Sequence, residues 1–403
     1  MPWAGWFLTC AVLVLSGCQR AAAPLPHDAY IWQRQWTPAI AASAFEARSH
    51  FAAYRVLAAE TDKAGALQAL VPDFAALARS RLPVIAVIRL NGGDPAIDAS
   101  ALRARIADIA LRWRADGITL VGIEIDHDCA TARLPDYARL LAVLRADWPK
   151  DLRLSITALP AWIGARALHD VLAEVDESVL QVHAVRQPVA GLFDRHAARR
   201  WIDGYAAISS KPFRVALPAY GVRVSFDAAG HALAVEAEMP RADVSGDARE
   251  LDAAPLEVAT LLHDLQRAGV PHLAGIAWFR LPGDDDRRAW SLATLQAVID
   301  GEPLRAGFEV RLDVAASGAR DVVLVNRGNL DATAPDSVLI PARDCSAGDG
   351  ASGFNAQADA RGWRFNAPPG ALLRAGHERR IGWLHCGSVE NAQWTEHETE
   401  QAP

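Results

Sequence analysis

Short β-rich runs alternate with stretches of helical period between residues 29 and 300. The β-rich runs are dense in Val, Ile, Leu and Ala, which is typical of parallel strands covered on both faces. The pattern predicts eight strands, near residues 29–36, 52–58, 83–90, 118–126, 152–158, 178–185, 213–220 and 273–280.

Amphipathic segments between these strands predict helices. The clearest cover residues 101–114, 137–147, 165–175, 197–208, 256–268 and 289–299. Eight such units over about 270 residues have the count and size of a (β/α)8 TIM barrel, an α/β fold, here placed at 29–300. A doubly wound open sheet is the alternative, although no G-x-G-x-x-G follows the first strand.

Two regions depart from this alternation. Residues 222–254, after strand seven, read as an inserted hairpin beside the barrel. Residues 301–390 predict a small β-sandwich-like domain, and residues 391–403 a polar tail. Strands of the small domain are predicted at 308–314, 321–326, 337–340, 362–366 and 380–385.

The N-terminus has the pattern of an export signal. An apolar run from Trp6 to Leu15 is too short to span a bilayer but has the length of a signal-peptide core. Leu15-Ser16-Gly17-Cys18 resembles the bacterial lipobox, although no Lys or Arg precedes the run. The resemblance implies a signal peptide at 1–17, an acylated Cys18 with a tether to residue 28, and a membrane anchor that does not span the bilayer.

The cellular compartment follows from this export signal. Gln19 after the cysteine implies delivery to the outer membrane, facing the periplasm. In that oxidising space Cys345 and Cys386 are a predicted disulfide, whereas Cys129 is predicted to be a buried thiol. The 41 basic and 48 acidic residues form no basic stripe, which argues against nucleic acid as a partner. No oligomeric state follows from the sequence.

The fourth predicted strand carries three acids at two-residue spacing. Side chains alternate along a strand, so Glu124, Asp126 and Asp128 share one face, opposite Ile123 and Ile125. The apolar face must meet the helices. We therefore expect the acids to face the barrel lumen, near the strand ends where barrel enzymes keep their active sites. Crowding raises the pKa of at least one carboxyl, which suits general acid catalysis.

Other uses of these acids remain open. They could form an ion-paired cluster with Arg89 on strand three or Arg153 on strand five. A divalent metal is a further alternative, but acids on one strand rarely supply a whole coordination shell, so no metal or cofactor is predicted.

Polar and aromatic residues at other strand ends suit a sugar ligand. Gln181 and His183 should point inward from strand six, although a lone inward His is usually a satisfied hydrogen-bonding group. Tyr220 and Trp278 end strands seven and eight, and flat rings beside carboxylates match a sugar ring. With Arg89, these four residues are the substrate-binding candidates.

These positions resemble family 18 glycoside hydrolases, the chitinase-like barrels, whose fourth strand ends in D-G-x-D-x-D-x-E. The resemblance makes Asp128 the catalytic acid, Asp126 the carboxylate that orients the substrate's acetamido group, and Glu124 a supporting residue. Pro218-Ala219-Tyr220-Gly221 looks like the family's P-x-Y-G, and Trp278 like its tryptophan under the sugar. Val121 replaces the first acid of the pattern, and Asp128 is one methylene shorter than the family's Glu.

Residues 28 to about 390 resemble another family more fully, the bacterial lipoproteins of domain of unknown function 3142. Its I-x-I-D-x-D strand, L-x-x-W and Leu-Gln-x-His strand correspond to Ile123–Asp128, Leu159–Trp162 and Leu180–His183. This resemblance supports the barrel and the lipoprotein address, but implies no reaction.

The sequence therefore predicts a membrane-tethered periplasmic glycoside hydrolase-like barrel acting on an amino-sugar glycan. A saccharide-binding or envelope-assembly lipoprotein without catalytic activity is the alternative. A purely structural partner of another envelope protein is a third reading, which would require an apolar contact patch on the C-terminal domain.

Overall fold

A computed structural model describes residues 24–62, 65–91, 98–183, 191–227, 232–236, 247–315 and 317–395. The predicted signal peptide, Cys18 and half of the tether lie outside these residues, as do parts of the insertion and of the polar tail. No helix in the described ranges is long and apolar enough to cross a membrane.

The predicted TIM barrel is confirmed. Eight parallel strands form a closed ring, because the first strand pairs with both the second and the last. The strands up to residue 300 are β1 (His27–Ile31), β2 (Ala53–Thr61), β3 (Leu67–Ala69), β4 (Val84–Leu90), β5 (Leu120–His127), β6 (Arg153–Ala158), β7 (Glu177–Gln181), β8 (Phe213–Pro218), β9 (Gly221–Phe226), β10 (Ala232–Glu236), β11 (Asp247–Asp252) and β12 (Leu273–Phe279).

Four of these strands lie outside the ring. β3 adds antiparallel to β2, and it was not expected from the sequence. β9, β10 and β11 form a three-stranded antiparallel sheet, so the insertion after barrel strand seven exceeds the predicted hairpin by one strand.

Eight helices in the described residues pack around the ring. They are α1 (Pro38–Glu46), α2 (Phe74–Ser80), α3 (Ala99–Ala115), α4 (Leu134–Arg145), α5 (Ala167–Ala173), α6 (Arg195–Ala206), α7 (Pro255–Ala268) and α8 (Leu292–Asp300). Local sequence sets their ends: Asp98 caps the first amides of α3, and Gly301, at φ 68°, ends α8 in the left-handed region.

The main hydrophobic core lies between ring and helices. Ile123, Ile125, Val56 and Leu154 are fully buried there. A smaller cluster includes Tyr30, Leu57, Val87, Val179, Ala216 and Ala277. These residues lie on the opposite faces of their strands, so they fill the lumen, which is packed and not an open pore.

The C-terminal β-module, residues 308–395, has its own core around Val322, Ile340, Phe365 and Ile381. Its long strand β16 pairs with β18 and β21 through its first half and with β20 through its second, so two sheets share one strand. Cys345 on β16 and Cys386 on β20 form the predicted disulfide. The strands are β13 (Phe308–Val314), β14 (Arg320–Asn326), β15 (Ala332–Thr333), β16 (Ser337–Gly350), β17 (Asn355–Asp359), β18 (Gly362–Asn366), β19 (Leu372–Leu373), β20 (Glu378–Val389) and β21 (Gln393–Thr395).

Candidate active site

Strand β5 directs its acids into the lumen. Glu124 accepts a hydrogen bond from the hydroxyl of Tyr30 on β1 at 2.6 Å, and Asp126 accepts one from Thr157 Oγ1 on β6 at 2.6 Å. Ile123 and Ile125, on the alternate face, are fully buried in the outer core. The alternation of acidic and apolar residues in the sequence therefore predicts the orientation of β5 correctly.

Glu124 belongs to a buried ionic network that we call the floor network. The guanidinium of Arg55 on β2 contacts three carboxylates, those of Asp28, Glu124 and Glu177, and neither Arg55 nor Glu124 has any exposed side-chain area. Arg214 adds a second cation, 3.2 Å from Asp28 and from Glu177. Burial, above all, raises the pKa of Glu124, whereas Arg55 lowers it. Glu124 supports the site from below and cannot reach a ligand.

Arg89 on β4 bridges the two upper acids. Its Nη1 donates to Asp126 Oδ2 and its Nη2 donates to Asp128 Oδ2, the second at 2.9 Å. The ion-paired cluster considered from the sequence therefore exists with Arg89, while Arg153 is exposed. Although burial opposes it, the two carboxylates hold the pKa of Arg89 above its ordinary value. Arg89, predicted to bind substrate, instead forms ion pairs with both acids and holds their carboxylates in position.

Asp126 and Asp128 differ in surroundings. Asp126 is 1% exposed, and both its oxygens accept hydrogen bonds, from Arg89 and Thr157. The side chain of Asp128 is 33% exposed, but its Oδ1 is buried and has no hydrogen-bond partner among the described residues. Partial burial, followed by the charge of Asp126, raises the pKa of Asp128 against the effect of Arg89. Asp128 is thus the acid that could hold a proton and meet a ligand.

Gln181 and His183 both follow the inward face of β7. Gln181 is partly exposed, while His183 is buried, with its Nδ1 3.3 Å from the carbonyl oxygen of Ala216. Burial lowers the pKa of His183 to about 4, although that hydrogen bond raises it. His183 is therefore a neutral, hydrogen-bonded residue at neutral pH.

Aromatic rings converge at the carboxyl end of the barrel. We call this end the mouth, and its rings are those of Trp32, His183, Tyr220 and Phe279. The ring centroids of Tyr220 and Phe279 are 5.3 Å apart, and those of Trp32 and Phe279 are 5.2 Å apart. Arg89 lies 5.9 Å from the Trp32 ring, which connects this group to the acids. Phe279 is the partly exposed member.

The prediction for Trp278 is wrong. Trp278 is fully buried in the outer core, where its Nε1 donates to His27 Nδ1 at 3.0 Å and its ring packs on Trp290. Alternation along β12 places Ala277 and Phe279 inward and Trp278 outward. Trp278 cannot form the floor of a sugar site, and Phe279 occupies the inward position.

Several site residues were not foreseen. Tyr30 and Trp32 alternate with Ala29 and Ile31 on the first strand, a signal of an inward aromatic face. Thr157 and the partners of Glu124 in the floor network were not predicted, because local sequence does not show which side chains on other strands come into contact.

No group of three His, Cys, Asp or Glu side chains among the described residues could hold a metal ion. Cys129 is buried, and burial raises the pKa of its thiol to about 11, so it is a structural thiol as predicted.

Solved structures of similar fold include a spore cortex-lytic enzyme and several chitinases. The Bacillus cereus spore cortex-lytic enzyme SleL superposes with a TM-score of 0.50 and 13% identity, covering 70% of this chain and 75% of that chain. A chitinase from Chromobacterium violaceum has a TM-score of 0.45 and 16% identity, covering 65% and 96%. A chitinase from Bacteroides thetaiotaomicron has a TM-score of 0.46 and 12% identity, covering 64% and 90%. At 13% identity, the likeness to SleL establishes the barrel fold alone.

Comparison with curated proteins gives no match to this chain. Residues 310–387, within the β-module, match the family described as Domain of unknown function (DUF8456). Residues 80–284, just over half of the chain and including most of the barrel, match the family described as Domain of unknown function (DUF3142). The chain therefore belongs to the DUF3142 family, in agreement with the resemblance of its strand motifs.

Proposed function

We propose that this protein is a glycoside hydrolase-like enzyme that cleaves an amino-sugar glycan, with Asp128 as the proton donor. The observation that carries the proposal is the unequal pair at the end of β5. Asp126 is fully hydrogen-bonded, while Asp128 is partly exposed and its buried Oδ1 has no hydrogen-bond partner among the described residues. Such a difference in surroundings is how neighbouring carboxyls acquire separate roles in catalysis.

The chemistry follows the resemblance to family 18. Asp128 gives its proton to the glycosidic oxygen as the bond from that oxygen to the anomeric carbon breaks. The carbonyl oxygen of the substrate's own acetamido group attacks the anomeric carbon, an exception to the two-carboxylate scheme. Water then opens the resulting ring and returns a proton to Asp128. Asp126, held by Arg89 and Thr157, orients the acetamido group.

The proposed binding of a sugar rests on the side chains at the mouth of the barrel. Phe279 offers a flat apolar face for the C–H face of a sugar, and Gln181 offers an amide for its hydroxyls. Tyr220, predicted to bind substrate, is buried and packs against the Phe279 ring. We propose no cofactor.

The assay is hydrolysis of a panel of amino-sugar polymers, including peptidoglycan fragments, with Asp128→Asn as the test variant. We expect product release by the native protein and its loss in the variant. Equal turnover by both would remove Asp128 from the mechanism.

A second candidate is a saccharide-binding protein without turnover. It is favoured by the ion pair between Arg89 and Asp128, because a carboxylate that is already paired and one methylene short can miss the leaving oxygen. This reading predicts glycan binding without products, and at least equal binding by Asp128→Asn.

For location, we propose a lipid anchor at Cys18 on the outer membrane, facing the periplasm. The support is the apolar run followed by Leu15-Ser16-Gly17-Cys18 and Gln19. Mass spectrometry of the purified protein should find an acylated N-terminal Cys18, and Cys18→Ser should leave the detergent phase. An unmodified N-terminus at Met1 would contradict the anchor.

A further inference from the structure

The loop between β12 and α8, residues 280–291, is joined to the chain segment that carries Tyr220. Ala219 N donates to Phe279 O at 2.7 Å, Trp290 N donates to Ala219 O at 3.0 Å, and Gly221 N donates to Arg288 O at 2.5 Å. Tyr220 and Ala289 also form an isolated antiparallel bridge. The position of Tyr220 at the mouth therefore depends on the course of this loop.

Asp286 organises the loop from inside. Its Oδ2 accepts from Arg280 Nε at 3.0 Å, and its Oδ1 accepts from the amides of Arg288 and Ala289 at 3.0 and 3.2 Å. The Arg280 guanidinium lies 5.8 Å from the Tyr220 ring centroid. One carboxylate thus connects the start of the loop, its end and the aromatic ring.

The β-module holds the same loop from outside. Arg374 Nη2 donates to Asp286 O and, at 2.9 Å, to Ala289 O, and Nη1 donates to Asp284 O at 3.4 Å. His377 Nε2 lies 2.7 Å from Asp284 Oδ1. Asp331 receives the amide of Ser291 at 2.6 Å. A single guanidinium, with its donors fixed in one plane, therefore donates hydrogen bonds to three backbone carbonyl oxygens of the loop.

We propose that the β-module is a positioning element for the mouth of the barrel, and that Arg374 is the positioning residue through which it acts. A loop that is not part of a helix or sheet opens locally unless neighbouring groups hold it. Arg374 fixes the backbone at Asp286 and Ala289, Asp286 fixes Arg280, and the loop fixes Tyr220 beside Phe279 and His183. The effect on a glycan ligand rests on the proposed function, whereas the effect on the loop does not.

The test compares hydrogen–deuterium exchange in the full-length protein and in Arg374→Gln. We expect amides in residues 284–291 and at Gly221 to exchange about tenfold faster in the variant, while β14 and β20 keep their protection. Arg374→Lys, which keeps a charged donor, should restore part of the protection. Arg379→Gln is the matched control, since Arg379 donates at 2.8 Å to Leu372 O within the β-module and should leave the loop unchanged.

Unchanged exchange of the loop in Arg374→Gln would overturn the proposal. Faster exchange across both sheets of the β-module would also overturn it, because Arg374 would then stabilise the module and not the loop. In a second arm, binding of an N-acetylglucosamine tetramer should weaken about fivefold in Arg374→Gln and stay unchanged in Arg379→Gln. If the native protein binds no glycan, the proposed function fails, and the exchange arm still decides the role of Arg374.

Discussion

The ring of His183 stacks on the ring of Phe279 at the mouth of the barrel, with centroids 5.5 Å apart and planes 26° apart. His183 follows the end of β7 and Phe279 ends β12, and these two strands lie on opposite sides of β8 in the ring. Their contact closes one side of the mouth with uncharged rings, while the acids of β5 lie across the lumen.

Because His183 is buried, the free energy of unfolding should decrease as the pH is lowered. The pKa of His183 is lowered by burial from 6.5 to about 4, so the unfolded chain binds the proton more readily between these values. Stability from this residue is present above pH 6.5 and is lost as the pH falls towards 4. Linkage gives roughly 3 kcal/mol between pH 7 and pH 4. Urea denaturation should show a pH dependence in His183→Gln that is weaker by this amount, and identical profiles would contradict the assignment.

Separate substitutions of Trp278 and Phe279 on β12 should distinguish an effect on stability from an effect on glycan binding. Trp278→Phe removes the bond to His27 and part of the outer core, so it should destabilise the fold by roughly 2 kcal/mol without changing glycan affinity. Phe279→Ala should weaken the binding of an N-acetylglucosamine tetramer roughly fivefold. Denaturation and calorimetric titration check both, and a loss of affinity in Trp278→Phe alone would restore Trp278 as the sugar platform.

Breaking the floor network should be costly. Arg55→Met leaves three buried carboxylates without their shared cation, and we expect a loss of about 3–5 kcal/mol of unfolding free energy. The control is Arg34→Met, because the Arg34–Glu60 pair lies at the surface and should change stability by about 1 kcal/mol or less. Equal effects of the two substitutions in urea denaturation would contradict a buried network.

Thr157 should act through Asp126. Thr157→Val preserves shape but removes the hydroxyl that donates to Asp126 Oδ1, which should cost about 2 kcal/mol. Thr131→Val, at an exposed hydroxyl that donates to Ala161 O, is the matched control and should have little effect. Thermal unfolding of both variants measures the difference, and a stable Thr157→Val would mean that Asp126 is satisfied without Thr157.

Local periodicity predicted the barrel but not all its parts. A long apolar run marked the strand at residues 84–90, and alternation along residues 120–127 oriented Glu124 and Asp126. Helices α1 and α2 are not among the clearest predicted segments, because Pro38–Glu46 is rich in Ala and Phe74–Ser80 has only seven residues, which leaves a weak periodic signal.

The errors at the site have a different origin. Trp278 was placed at the mouth because it lies at the end of its strand, although alternation along that strand points its side chain outward. Arg55 interrupts an apolar strand, and its partners Asp28, Glu124 and Glu177 lie on three other strands. Such pairings depend on the closed ring, so they could be recognised only once the ring was known.

The role of Asp128 is decided by the rate at which the native protein and Asp128→Asn cleave an N-acetylglucosamine tetramer, measured by chromatography of the products. Asp136→Asn, at an exposed acid on α4, is the matched control. We expect cleavage by the native protein and by the control, and a rate at least about 100-fold lower in Asp128→Asn. Equal rates in all three proteins would show that Asp128 is not the proton donor, and absence of cleavage by the native protein would show that it is not a hydrolase of this substrate.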